Sequence, residues 1–204
     1  MNTGSLILVS APSGAGKTSL VKSVLAADRQ VVVCVSHTTR TKRDGESDGE
    51  NYFFVDDREF NRMIAAEEFL EHANVFGQRY GSSKQEVDRR REKGQDVILE
   101  IDWQGADQVR ALLPEAISIF ILPPSIAVLE QRLHARGQDS QAAMATRLAE
   151  AKTDMRQANR YDYLIVNDDF AQASEELLSV IRAARQQRER QLQQSTIAAL
   201  VKSP

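Results

Sequence analysis

Ala11-Pro-Ser-Gly-Ala-Gly-Lys-Thr18 lies between the apolar run Leu6-Ile-Leu-Val9 and the helix-compatible stretch Ser19 to Ala27. A strand, a glycine-rich turn and a helix in that order read as a phosphate-binding loop. Gly14 and Gly16 leave no side chain in the way, so consecutive backbone N–H groups can converge on an anion at a helix N-terminus. In such a loop Lys17 reaches the β- and γ-phosphates of a nucleotide, and Thr18 offers its hydroxyl to Mg2+. Ala11 stands where the strict G-x-x-x-x-G-K-[ST] pattern has glycine, so the flanking strand and helix carry part of the assignment.

The same alternation continues downstream. Val31-Val-Val-Cys-Val35, Asp96-Val-Ile-Leu-Glu-Ile101, Ala116-Ile-Ser-Ile-Phe-Ile-Leu122 and Tyr161-Asp-Tyr-Leu-Ile-Val166 are runs of strand length. After the second of them, helix-periodic segments at 104–113, 125–135 and 141–159 intervene. The pattern predicts an α/β fold with a P-loop NTPase-type parallel sheet core and helices on both faces. Ligands of such sheets sit at the C-terminal ends of the strands, where the loop, Ser36, Asp102, Pro123 and Asn167 all fall.

From Ser36 to about Gln95 polar and aromatic residues replace the apolar runs, which predicts an inserted subdomain with a second ligand site. Its parts are an Arg-rich loop at 37–49, a short strand at 52–55 and a helix at 57–66 capped by Asp56 or Asp57. Extended pieces at 69–76 and 80–83 then lead into another helix. The stretch from Ala171 to Val201 is helix-prone, with an apolar face through Leu177, Leu178, Val180, Ile181 and Ala184. It reads as a docked helix with a solvated Arg/Gln-rich end, and Leu192, Ile197 and Leu200 are candidates for a homo-oligomer contact.

With 204 residues, 42% hydrophobic and 27% charged, the chain is of ordinary globular composition and long enough for a substantial core. A net charge of -3 does not advertise a nucleic-acid surface. The first apolar run is too short for a signal peptide or membrane span and no basic segment precedes it, so the expectation is a cytoplasmic protein with no membrane partner. The single cysteine, Cys34, reads as a small buried apolar residue.

Several side chains carry the chemistry. Glu100 and Asp102 at the end of the third run are two carboxylates on one side of an extended chain, as a Mg2+ site opposite a phosphate loop requires; Asp102, at the exit, is the better candidate. Arg40 and Arg43, with the phenols of Tyr52 and Tyr80, suit a phosphate monoester, because a guanidinium pairs with phosphate through two parallel hydrogen bonds. Glu71 stands in the largely apolar Phe69-Leu-Glu-His-Ala73, where an unpaired carboxylate is costly to bury. Either a salt bridge or a ligand with adjacent N–H donors would satisfy it, and guanine has such donors whereas adenine does not. Arg132 and Arg136 share a helix face, and Arg147 follows; such arginines could close over a triphosphate. His37, His72 and His134 lack metal-ligand spacing, and Trp103 reads as a packing residue.

These blocks together resemble the guanylate kinase family, nearly end to end. The resemblance rests on Ser10-Ala-Pro-Ser-Gly-Ala-Gly-Lys-Thr18, Val35-Ser-His-Thr-Thr-Arg40, Gly49-Glu-Asn-Tyr-Phe-Phe54 and Phe69-Leu-Glu-His72. Tyr80-Gly-Ser82, Ile101-Asp-Trp-Gln-Gly105, Arg132-Leu-His-Ala-Arg-Gly137 and Val166-Asn-Asp-Asp169 add to it. It implies transfer of the γ-phosphoryl group of MgATP to GMP, with dGMP as a further acceptor. The alternatives are another P-loop small-molecule kinase and a non-catalytic guanylate-kinase-like interaction module.

By resemblance, Ala11, Pro12, Ser13, Gly14, Ala15, Gly16, Lys17 and Thr18 hold ATP, and Asn167 lies near the adenine. Ser36, Glu71 and Ser82 recognise guanine, while Arg40, Arg43, Tyr52 and Tyr80 hold the GMP phosphate. Asp102 matches an acid near the phosphates or ribose; Thr18 and Asp102 are the candidate metal ligands, and Glu100 occupies a place where relatives often carry Asp. Arg136 and Arg147 belong to a lid, and with Lys17, Arg40 and Arg43 they form the catalytic set; Arg132 and Arg156 are further contacts. The implied division is a core of 1–36, 95–135 and 160–204, a GMP-binding insertion of 37–94 and a lid of 136–159.

Overall fold

The computed structural model describes residues 3–75, 77–135 and 141–202. Strands β1 (Leu6–Ser10), β2 (Val31–Val33), β7 (Asp96–Glu100), β8 (Ile117–Leu122) and β9 (Tyr163–Val166) form one sheet in the order β2-β7-β1-β8-β9. Every pairing within it is parallel. Side chains alternate across a strand, so β1 feeds two cores. Ile7 and Val9 pack with Leu20, Val21 and Val24 of α1 (Lys17–Ala27) and with Leu177 and Ile181 of α7 (Phe170–Arg185). Leu6 and Leu8 face the other way, toward Val87 of α3 (Lys84–Glu92) and Ala106 and Val109 of α4 (Trp103–Leu112). Helices therefore cover both faces, as the alternation predicts.

The insertion builds a second sheet of four strands in the order β4-β3-β6-β5. They are β3 (His37–Thr38), β4 (Phe53–Phe54), β5 (Phe69–Val75) and β6 (Gln78–Ser83), and β6 runs antiparallel to both β3 and β5. Phe60 and Met63 of α2 (Asp57–Ala65) pack on Phe69 beneath it. Asp56 caps α2, accepting from the Glu59 N–H at 2.7 Å. Beyond β8, Leu129 and Leu133 of α5 (Ile126–Ala135) pack with Met144 and Ala151 of α6 (Gln141–Arg156).

The helix-prone C-terminus does not run unbroken. Helix α7 stops at Arg185, and two short helices follow, α8 (Arg188–Gln191) and α9 (Ser195–Lys202). A fully buried carboxylate explains the break. Asp96, at the start of β7, accepts from Arg185 Nε at 2.5 Å, from Arg190 Nη1 at 3.4 Å and from the Ser5 N–H at 2.7 Å. Turning the chain between 185 and 190 brings both arginines to one carboxylate, and the Gln191 amide donates to the carbonyl of Arg185 as α7 ends. None of the described helices is long and apolar enough to cross a membrane.

Because Asp96 is enclosed, its removal takes the shared buried carboxylate from two guanidinium groups, leaving Arg185 with Asp28 and Arg190 with the Thr3 carbonyl. Asp96→Ala should cost about 3–5 kcal/mol in denaturant unfolding; a loss under about 1 kcal/mol would show that the cluster does not hold the C-terminal segment.

Candidate active site

The phosphate loop closes between β1 and α1. Gly14 and Gly16 both adopt left-handed backbone, with φ of 91° and 95°. Side chains are excluded at both for a second reason: a Cβ on Gly14 would press on Leu129 and Leu133 at 3.1 Å, and one on Gly16 would lie 2.3 Å from the Asn167 amide nitrogen. The Ala15 N–H turns back to the carbonyl of Pro12 at 3.2 Å. Gly16 then sits at the N-terminus of α1, where no side chain caps the helix. Unpaired N–H groups and the positive end of the helix dipole face the same opening.

That opening is a cavity of about 330 Å3 between the two sheets. The loop residues Ala11, Pro12, Ser13, Gly14, Gly16, Lys17 and Thr18 line one end. Ser36, Tyr52, Glu71 and Tyr80 line the other, with Glu100, Asp102 and Asp154 between them. Most of the residues singled out from sequence thus converge on one cleft.

Lys17 lies among carboxylates. Burial lowers its pKa, and the negative charges of Glu100, Asp102, Glu71 and Asp154 oppose that shift. The Lys17 ammonium donates to the carbonyl of Ile101 at 3.4 Å. Of the two strand-end acids, Glu100 is the one against the loop: it accepts from the Thr18 hydroxyl at 2.9 Å. Asp102 is occupied otherwise. It caps α4, accepting from the Gly105 N–H at 2.9 Å and from the Gln104 amide at 3.0 Å.

At the far end Glu71 is 3% exposed and accepts from the Ser82 hydroxyl at 2.6 Å. The Ser36 hydroxyl lies 3.4 Å from that of Ser82. Desolvation pushes the Glu71 carboxyl up to about 7, against the pull of the Ser82 hydrogen bond. No arginine or lysine forms an ion pair with it among the described residues. Gly105 has a positional reason here, because a Cβ on it would come within 2.4 Å of the Glu71 carboxylate.

Arg40 is held behind this end. Its guanidinium donates to Glu46 at 2.7 Å and to the carbonyl of Thr41 at 2.8 Å, and it lies 5.3 Å from the centre of the Tyr52 ring. Tyr52 and Tyr80 pack edge to face at 5.8 Å. The Glu46 hydrogen bond raises the Arg40 pKa. Arg43 is exposed on the same loop, and its backbone N–H donates to Glu46 at 2.8 Å. Arg147 lies on α6, and Arg136 falls outside the described residues.

Asn167 is buried under the loop, and its amide donates to the carbonyl of Ala15 at 2.7 Å. Two residues at the site were not singled out from sequence, Glu46 and Asp154. Glu46 carried a signal, three residues after Arg43 in a Gly-containing turn. Asp154 did not, because it lies in a polar stretch and only the packing of α6 turns it into the cleft, where burial pushes its carboxyl up to about 6.

The environment of Glu71 has a consequence for stability. Between about pH 4.5, where an unperturbed glutamate ionises, and about pH 7, the folded protein keeps a proton that the unfolded chain loses. Wild-type stability should fall as pH rises through that window, and Glu71→Gln should escape the fall. In thermal unfolding the variant should match the wild type at pH 4 and exceed it at pH 8; equal stability at both would refute the assignment.

A family model described as guanylate kinase matches residues 3–184. The guanylate kinase of Hahella chejuensis is 57% identical over 185 residues, covering 91% of this chain and 89% of that one. That of Pseudomonas syringae pv. tomato is 52% identical over 200 residues, covering 94% of each. The crystal structure of guanylate kinase from Anaplasma phagocytophilum superposes with a TM-score of 0.81 at 32% identity, covering 99% of this chain and 95% of that one. Agreement at this level over nearly the whole length shows that the chain belongs to the guanylate kinase family.

Proposed function

We infer that this protein transfers the γ-phosphoryl group of ATP to GMP, giving ADP and GDP. One observation carries the reading: the phosphate loop and the buried Glu71, held by the Ser82 hydroxyl, open onto the same cavity. The ATP half comprises Ala11 to Thr18 and Asn167. The GMP half comprises Ser36, Glu71 and Ser82 for the base, Arg40, Arg43, Tyr52 and Tyr80 for the phosphate, and Asp102 between the halves. Residues 37–94 act as the GMP-binding unit and 136–159 as a lid carrying Arg136 and Arg147, around a core of 1–36, 95–135 and 160–204.

Specificity follows from hydrogen-bond chemistry. Ionised Glu71 accepts from the N1–H and exocyclic amine of guanine, side by side, and Ser82 holds the carboxylate in place. Adenine presents an unprotonated N1 beside its amine, so a carboxylate meets a lone pair there. Guanine donors favour the charged form, which returns the ionisation that burial resists.

Catalysis needs no strong base. A phosphate monoester has a second pKa of about 6, so the attacking GMP oxygen is already anionic near neutral pH. The task is to hold two polyanions in line and neutralise the charge between them. Lys17, the loop N–H groups and the arginines do this from the protein side. Glu46 keeps Arg40 in one orientation before the substrate arrives. Closure of the insertion and lid excludes water that would otherwise take the phosphoryl group.

Hard oxygen donors at the loop suit Mg2+, which supplies charge neutralisation on the phosphates. Thr18 and Glu100 touch, and Asp102 borders the same space. No group of three or more His, Cys, Asp or Glu among the described residues could enclose a metal ion. Thr18, with Glu100 or Asp102, would hold the ion through one or two oxygens. The C-terminal segment, with Leu200 and Val201 exposed, is the proposed contact of a homo-oligomer.

With MgATP, ADP release should depend on GMP and be far weaker with AMP or CMP; equal rates with all three would exclude guanine recognition. Lys17→Ala should keep GMP binding and lose on the order of a hundredfold or more in kcat. Undiminished turnover in that variant would contradict the phosphate role.

A further inference from the structure

Asn167 closes the C-terminal end of β9, and its contacts lead away from the cavity. Its backbone N–H donates to the carbonyl of Leu122 at 2.8 Å, which continues the β8–β9 ladder by one residue. The Asn167 carbonyl accepts from Arg132 Nη2 of α5 at 3.0 Å. Its side-chain amide donates to the Ala15 carbonyl at 2.7 Å, within the phosphate loop. Asn167 is 5% exposed, and it is not among the described residues lining the cavity, whereas Gly16 is.

The geometry of one peptide unit gives these contacts a role. The Ala15 carbonyl and the Gly16 N–H belong to the same planar trans peptide and point in opposite directions. Holding the carbonyl down on Asn167 aims the N–H up, into the space where an anion would sit. Gly16 lies in left-handed backbone, a conformation its lack of a side chain makes easy to leave as well as to enter. Without the asparagine donor, the buried Ala15 carbonyl has no other hydrogen-bond partner among the described residues, and this peptide can turn over.

We propose that Asn167 is a positioning residue for the phosphate loop, acting through the Ala15 carbonyl to orient the Gly16 N–H toward the phosphates. Arg132 ties the same asparagine to α5, the helix that leads into residue 136, so the loop and the start of the proposed lid share one anchor. This rests on the reading of Ala11 to Thr18 as the ATP-phosphate site and separates the loop's contribution from the base's.

The test uses a ligand that has phosphates but no base. In the wild type, ATP and inorganic tripolyphosphate should both bind; failure of both would remove the phosphate-site reading itself and the clamp with it. In Asn167→Ala the affinities for both ATP and tripolyphosphate should fall, that for tripolyphosphate by roughly ten- to a hundredfold, the scale of leaving one buried acceptor unpaired. GMP affinity should stay unchanged. Asn167→Leu, which keeps the side chain's size and loses the donor without adding charge, should show the same pattern and stands in if the alanine variant does not fold. Weaker ATP binding with undiminished tripolyphosphate binding would overturn the proposal in favour of a base contact. A parallel loss of GMP affinity would reduce Asn167 to a general structural role, and no loss of any affinity would also refute the clamp.

Discussion

Two polyanionic substrates have to meet on a chain whose own net charge is -3, and the cleft that receives them holds carboxylates as well as cations. Glu71, Glu100, Asp102 and Asp154 all act on Lys17. Left to themselves they would repel one another and the incoming phosphates. Three of them are restrained by local donors: Thr18 holds Glu100, the first turn of α4 holds Asp102, and Ser82 holds Glu71. Each restraint fixes where negative charge sits, so that a carboxylate acceptor stands at one end of the cavity and the loop N–H groups stay open at the other. Burial of Glu71 makes its ionisation costly, and a ligand with two adjacent donors offsets that cost.

Helix α4 is the wall that the two halves share. Asp102 caps it beside the phosphate loop, and Gly105 gives the Glu71 carboxylate room one turn later. Further along, the Gln108 side chain bonds both the N–H and the carbonyl of His72 on β5, at 3.1 and 2.8 Å, as a neighbouring strand would. The inserted sheet is therefore joined to the core through backbone-like hydrogen bonds right beside Glu71. A site divided between two sheets keeps its spacing because one helix touches both.

Much of this was legible in the chain. The core strands are apolar on both faces, so their runs stand out from the polar insertion, and the order strand, loop, helix marks the glycine-rich loop that lines the cavity. Glu71 was legible because its neighbours are apolar and a carboxylate among them needs a reason. What stayed hidden depended on long-range pairing. The break after Arg185 follows from Asp96, 89 residues earlier, and no local propensity marks it. Likewise the place of Asp102 at the strand exit was legible, whereas the hydrogen bonds it accepts from Gln104 and Gly105 of α4 and the contact of Glu100 with Thr18 were not. Arg40 reads as an open phosphate fork, but the fold of its loop supplies Glu46 as its resting partner.

On the proposed function, the Glu71 carboxylate, whose ionisation burial opposes, is the charged acceptor for guanine. The most direct test is the titration of the Glu71 carboxyl carbon followed by NMR, with and without GMP. The free protein should show a midpoint near 7, well above an ordinary glutamate, and saturating GMP should move it down by a unit or more. A midpoint that GMP leaves in place would contradict the account, because it would mean that the base does not meet this carboxylate.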